Sequence, residues 1–329
     1  MHKNPRGRIT CVLLVVLAVS IATPLSAAEK AKIRLPDGLY MYKSLTELDK
    51  DGRMVVGFGR YFIVHNNTIY NSQQALRKFG LAKLNKLFTE KKKFKVLFGG
   101  EKIGERHGVE IVTGDRMAES YIKSSGPPFI KNIKEGPTYS KDLGLVENSV
   151  ARAFVVPETY KASRTVTFNA VSKDEVEKVE KLVKDKLFDL VKNRKELKQF
   201  KVKYEELSEE RIKILDKITD HSGEMYMGSY GYVFRTAEGV VYEFEIVFST
   251  RKDNVYVITS NYYYDNKTML NGDNEICGML DIDGCGEEEL IIEKTSGGLY
   301  EYITNLEIYK QKADGNWTQV IKRIKRRDL

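Results

Sequence analysis

The residues best suited to chemistry lie near the end of the chain, in Leu280-Asp281-Ile282-Asp283-Gly284-Cys285-Gly286-Glu287-Glu288-Glu289-Leu290. Asp281 and Asp283 take the first and third positions, Gly284 and Gly286 the fourth and sixth, and Glu289 the ninth. An apolar run follows. This is a calcium-loop spacing. Ca²⁺ is a hard cation that takes six to eight oxygens, and a glycine-rich turn folds alternate carboxylates around one point. Asp281, Asp283 and Glu289 are the candidate metal ligands, with a backbone carbonyl near Glu287. The fifth position is Cys285, whose thiol is a poor ligand for a hard ion.

The segment resembles the Asp-rich loop of the FG-GAP and VCBS-type repeats of integrin-like β-propellers. Tyr300 to Trp317, with an Asp314-Gly315 turn, is similar to the rest of such a unit. The resemblance covers the last ~50 residues, one repeat of this size. It implies a module used for adhesion and scaffolding. The family's calcium-binding members carry Asp at the fifth position, where Cys285 stands here. A degenerate earlier copy is read at Leu215-Asp216 to Ser222-Gly223-Glu224-Met225-Tyr226, without the Asp pair. Two units do not close a propeller of at least four blades.

Other candidate motifs are weaker. Ser120-Tyr121-Ile122-Lys123 has the Ser-x-x-Lys spacing of penicillin-binding enzymes. The spacing recurs at Ser249 and Lys252, and no Ser-Asp-Asn accompanies it. Gly228-Ser229-Tyr230-Gly231 falls inside a strand pattern and opens no helix, so it cradles no phosphate. His65, His107 and His221 have no His or Cys at metal-pair spacing. Glu243 and Glu245 could form a glycosidase carboxylate pair, but two acids on one strand face are expected to be solvated. Tyr226, Tyr230, Tyr232 and Phe234 share a strand face, and Tyr262-Tyr263-Tyr264 follows. Such rings stack on sugars when exposed and pack twisted sheets when buried, and burial is the expectation.

The elements that must position these residues follow from periodicity. Arg53 to His65 is strand-like, and Asn66-Asn67-Thr68 turns it toward Ile69-Tyr70. Ser72 to Lys92 has helical spacing. Gly99-Gly100 marks a hairpin, because a tight turn needs positive φ. Ser172 with Glu175 forms a capping box ahead of the stripe Val176, Val179, Val183, Leu187, Leu190 and Val191. From Met225 the chain alternates as strands: 225–235, 240–249, 255–264, 276–282, 288–294, 300–310 and 317–322. Three of the seven prolines, Pro127, Pro128 and Pro137, fall in one loop-like stretch. The expected class is α+β. Residues 1–28 are a signal peptide, 29–123 an N-terminal mixed α/β domain and 124–149 a Pro/Gly-rich linker. Residues 150–329 are an amphipathic helix packed on an antiparallel β-meander, ending in the repeat-like unit.

The signal peptide rests on order. Lys3, Arg6 and Arg8 precede the 14-residue apolar run Ile9–Ala22, and the small residues Ser26, Ala27 and Ala28 follow. The run is shorter than the roughly 20 residues of a membrane span, and no later run reaches that length. The expected location is the periplasm or the exterior. Nucleic acid is not an expected partner there, whereas an envelope glycan or another exported protein is. The formal charge of +8 is mild for 329 residues, with basic clusters at Lys91-Lys92-Lys93-Phe94-Lys95 and at 322–327. Cys277 and Cys285 remain after the signal. An oxidising compartment makes a bond between them the simplest outcome, at about 2–3 kcal/mol, with two thiols the alternative. Such a bond would staple the loop without a metal. The expected function is non-catalytic binding or structure, and the alternative is an envelope hydrolase acting on glycan or peptide.

Overall fold

The computed structural model describes residues 33–48, 54–113, 120–124, 129–131, 153–162, 167–169, 171–193, 207–220, 223–235, 241–265, 273–298 and 301–321. Residues 1–28, read as a signal peptide, most of 124–149 and the basic tail lie outside these residues. Antiparallel β-sheet dominates, with three helices among the described residues.

The chain opens with β1 (Gly38–Leu48), β2 (Met54–His65) and β3 (Thr68–Asn71). Asn66 and Asn67, at φ 50° and 56°, make the two-residue turn between β2 and β3. Helices α1 (Ser72–Phe79) and α2 (Leu81–Phe88) follow where the spacing predicts one helix. Gly80, at φ 73° and ψ 155°, ends α1 and caps α2, so the helical period continues across a bend. Asn71 caps α1, in a capping box with Gln74. Next come β4 (Phe94–Phe98), β5 (Glu101–Arg106), β6 (Val109–Thr113), β7 (Ser120–Ser124), β8 (Phe129–Lys131) and β9 (Ala153–Pro157). Gly99 and Gly100, both at positive φ, turn β4 into β5.

The first sheet runs β3-β2-β1-β9-β4-β5, with β8 paired to β2. β9 follows the Pro-rich stretch in sequence yet is an interior strand here, bonded to β1 and β4. The first sheet therefore continues past the expected linker. β6 and β7 form a separate hairpin.

A second sheet contains β10 (Thr167–Asn169), β11 (Leu207–Asp220), β12 (Gly223–Arg235), β13 (Val241–Arg251) and β14 (Asn254–Asp265) in that order. Helix α3 (Lys173–Asn193) precedes β11 and packs against β11, β12 and β14. The expected box is present: the Glu175 amide donates to Ser172 Oγ at 3.3 Å, and the Ser172 amide to Glu175 Oε2 at 2.8 Å. The third sheet is the meander β15 (Asp273–Leu280), β16 (Glu289–Gly298), β17 (Glu301–Gln311) and β18 (Trp317–Ile321).

This third sheet is covered on both faces. One face, with Cys277, Ile291 and Ile308, packs on Tyr40, Phe62 and Phe154 of the first sheet. The other, with Ile276, Leu290, Ile292 and Tyr309, packs on Met225, Met227 and Val247 of the second. The far face of the first sheet is covered in turn by α1, α2 and the β6–β7 hairpin.

The layering corrects one reading. Glu245 is not solvated: it is 1 % exposed and accepts from the Asn274 amide and side chain at 3.3 and 3.4 Å, because β15 covers that face of β13. On the opposite face Phe244, Ile246 and Phe248 are buried as well. Tyr230 is buried, and Tyr226 donates to Glu175 at 2.6 Å. These two rings therefore serve packing rather than an open stacking platform.

Glu175 ties α3 to the second sheet. Burial alone would raise its pKa, but Lys217, Tyr226 and Ser172 bind the ionised form and hold it near 2, against 4.5 unperturbed. A depressed folded pKa stabilises the fold above about pH 4.5 and loses that contribution as pH falls toward 2. Glu175→Gln should cost about 1–2 kcal/mol at pH 7. Denaturant melts of the two proteins should converge between pH 4.5 and 2. A constant gap across that window would contradict the assignment.

Candidate functional site

Residues 281–288 connect β15 to β16 at one end of the central sheet. Gly284 and Gly286, at φ 69° and 90°, supply the left-handed turns the loop requires. Gly284 has a second constraint: a Cβ there would come within 3.0 Å of Arg34 Cδ. The Arg34 amide donates to the Ile282 carbonyl at 2.8 Å, fixing the loop to the segment before β1.

The acids hold backbone. The Gly286 amide donates to Asp281 Oδ2 at 3.1 Å, the Cys285 amide to Asp283 Oδ1 at 3.0 Å, and the Ile282 amide to Glu289 Oε2 at 2.7 Å. Ligand atoms of Asp281, Asp283 and Cys285 lie within 4.8 Å of one another. Glu289 is not in that group. It is 1 % exposed and sits at the start of β16, beneath the loop.

The residue that sequence reasoning missed is Lys310, on β17. Its Nζ donates to Asp283 Oδ2 at 2.6 Å and to Cys285 Sγ at 3.0 Å, and lies 3.3 Å from Glu289 Oε1. Lys310 thus touches two of the three expected metal ligands, Asp283 and Glu289, and also the thiol at the fifth position. Nothing in local spacing signals this, because 27 residues separate Lys310 from Asp283 and only the β16–β17 pairing joins them.

The charges respond to this contact. Burial would raise Asp283, but the bonds from Cys285 and Lys310 outweigh it and hold the carboxyl below its usual range. Burial would lower Lys310, yet Asp283, Cys285 and Glu289 keep it above its usual range. Burial pushes Glu289 up to about 7, although the Ile282 amide and Lys310 pull the other way. Burial, followed by the Asp283 carboxylate, raises the Cys285 thiol, so it is no activated nucleophile.

The two cysteines are not joined. Both are thiols. Cys277 is buried in β15 against the first sheet, and Cys285 is exposed on the loop with Lys310 and the Glu287 amide at its sulfur. The expected Cys277–Cys285 disulfide is therefore replaced by Lys310 and the carboxylate–amide bonds as the means of holding the loop.

A calcium ion fits this donor set poorly. Three features favour a cation: the grouping of Asp281, Asp283 and Cys285, the buried Asp281 Oδ1 without a hydrogen bond among the described residues, and the buried Glu289 Oε1, which has the Lys310 ammonium at 3.3 Å but no hydrogen bond among them. Against it, a thiol stands at the fifth position, and an ammonium already occupies the space beside Asp283 and Glu289. A hard ion needs six to eight oxygens there.

The remaining candidates are dispersed. Ser120 and Lys123 lie on β7. Ser249 is buried and accepts from Trp317 Nε1 at 2.8 Å. His65 pairs with Asp37 at 3.0 Å and His107 with Glu105 at 3.8 Å, while His221 lies outside the described residues. Gly228 and Gly231 are inside β12. No family model, curated protein or solved structure matches the chain.

Removing Lys310 should expose how much the loop depends on it. Lys310→Met should destabilise the protein by about 2–4 kcal/mol at pH 8, since it leaves buried carboxylates uncompensated. The loss should be smaller at pH 5, where Glu289, titrating near 7, is protonated and needs no counter-charge. Denaturant curves at the two pH values give the comparison. Glu289→Gln in the same background should recover part of the loss at pH 8.

Proposed function

We propose that this chain is an exported, non-catalytic binding or structural protein of the cell envelope or secretome. The observation that carries the reading is how its most concentrated polar cluster is used. Asp281, Asp283 and Glu289 each accept from a loop amide, and Lys310 pairs with Asp283 and Glu289, so the cluster shapes a loop. The resemblance of residues 281–317 to FG-GAP and VCBS-type units, which serve adhesion and scaffolding, supports the same reading. The order of charge, apolar run and small residues in 1–28 supports export. Envelope glycans and other exported proteins are the proposed partners.

Two measurements test this. Residues 1–28 fused to a phosphatase that is active only after export should give active enzyme, and an inactive, retained fusion would remove the location. Purified protein from residue 29 onward should release no products from envelope glycan or peptide. Turnover lost on changing a single acid would establish the hydrolase instead.

A further inference from the structure

The outer side of α1 and α2 carries a concentrated positive charge. Between Ser72 and Lys93 stand seven basic residues and one acid, Glu90, a surplus of six in a chain whose formal total is +8. Arg77, Lys78, Lys83 and Lys86 are exposed on the two helices, and the run 91–93 is exposed in the turn that follows. The inner sides of the same helices, with Ala75, Leu84 and Phe88, are buried on the first sheet. The fold therefore turns this charge outward.

Two further features distinguish the face from a merely solvated one. Leu87, at 39 % exposure, is the exposed large hydrophobic among the described residues, and it stands one residue from Lys86 and one helical turn from Lys83. The lysines also rest on a rigid base. Lys78 Nζ lies 4.2 Å from the centre of the Tyr70 ring and bonds its hydroxyl, and Lys83 Nζ lies 6.0 Å from the centre of the Phe79 ring. Those rings belong to an edge-to-face cluster with His65 and Phe88.

We infer that the α1–α2 face docks on an anionic lipid bilayer surface, with the lysines at the headgroups and Leu87 at the acyl boundary. Charge complementarity and the apolar residue within the basic field select this occupant. A soluble polyanion would use the lysines and have no use for Leu87. Each basic residue near an anionic surface contributes about a fivefold gain in partitioning, and salt screens it. A single leucine adds apolar burial that salt does not weaken.

The test uses the protein from residue 29 onward, since Ala31–Leu329 forms one compact unit. Flotation is measured with vesicles of phosphatidylcholine alone and with one-third phosphatidylglycerol. The protein should float with the anionic vesicles at low salt and be released at high salt. Lys83→Gln with Lys86→Gln should lower partitioning about 25-fold. Leu87→Ser should lower it several-fold and leave the salt dependence unchanged. Lys252→Gln with Lys312→Gln, exposed on other hairpins, should have no comparable effect, and melting curves check that all variants fold. Equal binding to neutral vesicles would overturn the inference. So would binding that survives the Lys83/Lys86 change, or capture by a soluble acidic polymer without any by vesicles.

Discussion

The third sheet is buried on both faces, and that constraint governs much of the rest. A sheet with one wet face can leave its polar side chains to water. Here Asn274, Glu289, Glu293 and Glu307 are all less than one-tenth exposed, so each needs a partner within the protein. The neighbouring layers supply them for Glu293 and Asn274, and the third sheet and its loop for Glu289 and Glu307. Tyr42 and Arg60 of the first sheet bind Glu293, and Glu245 of the second binds Asn274. Lys294 pairs with Glu307 and donates to Thr259. These bonds set the register of one sheet on the next, which apolar contact alone leaves loosely specified.

The 281–289 loop is the same problem at the end of that sheet. Its acids face a place where water is scarce, which raises Glu289. A divalent ion is one way to hold such a group together, and a disulfide is another. This chain uses an ammonium delivered by the neighbouring strand. Lys310 is tethered by the fold, so its charge is present whenever β16 and β17 are paired. The outcome is a loop whose shape depends on tertiary structure rather than on a dissociable ligand. That suits a structural or binding role, in which the surface must be constant.

The sequence was legible wherever structure is local. The strands from Met225 onward follow from period-two alternation, the Ser172–Glu175 box from its spacing, and the 66–67 and 99–100 turns from residues that accept positive φ. What was hidden is long-range. The burial of Glu245 depends on a sheet that begins more than twenty residues later, and a strand with an acid on one face looks half-wet until that cover is known. β9 joins the first sheet from beyond the Pro-rich stretch, where composition marks a boundary. The bend at Gly80 was visible as a glycine, but the apolar period runs through it. At the site, Asp281, Asp283 and Cys285 were found because they are close in sequence, and Lys310 was missed because only strand pairing brings it there.

Lys310, and not a metal, holds the 281–289 loop. The most direct test is a thermal melt of the protein from residue 29 onward, with calcium in excess and with chelator. The two curves should superimpose. A ligand at 100 times its Kd adds about 2.7 kcal/mol, or roughly 5 degrees for a chain of this size. A rise of that order, abolished by Asp281→Ala, would contradict it and make the loop a calcium site with Lys310 displaced.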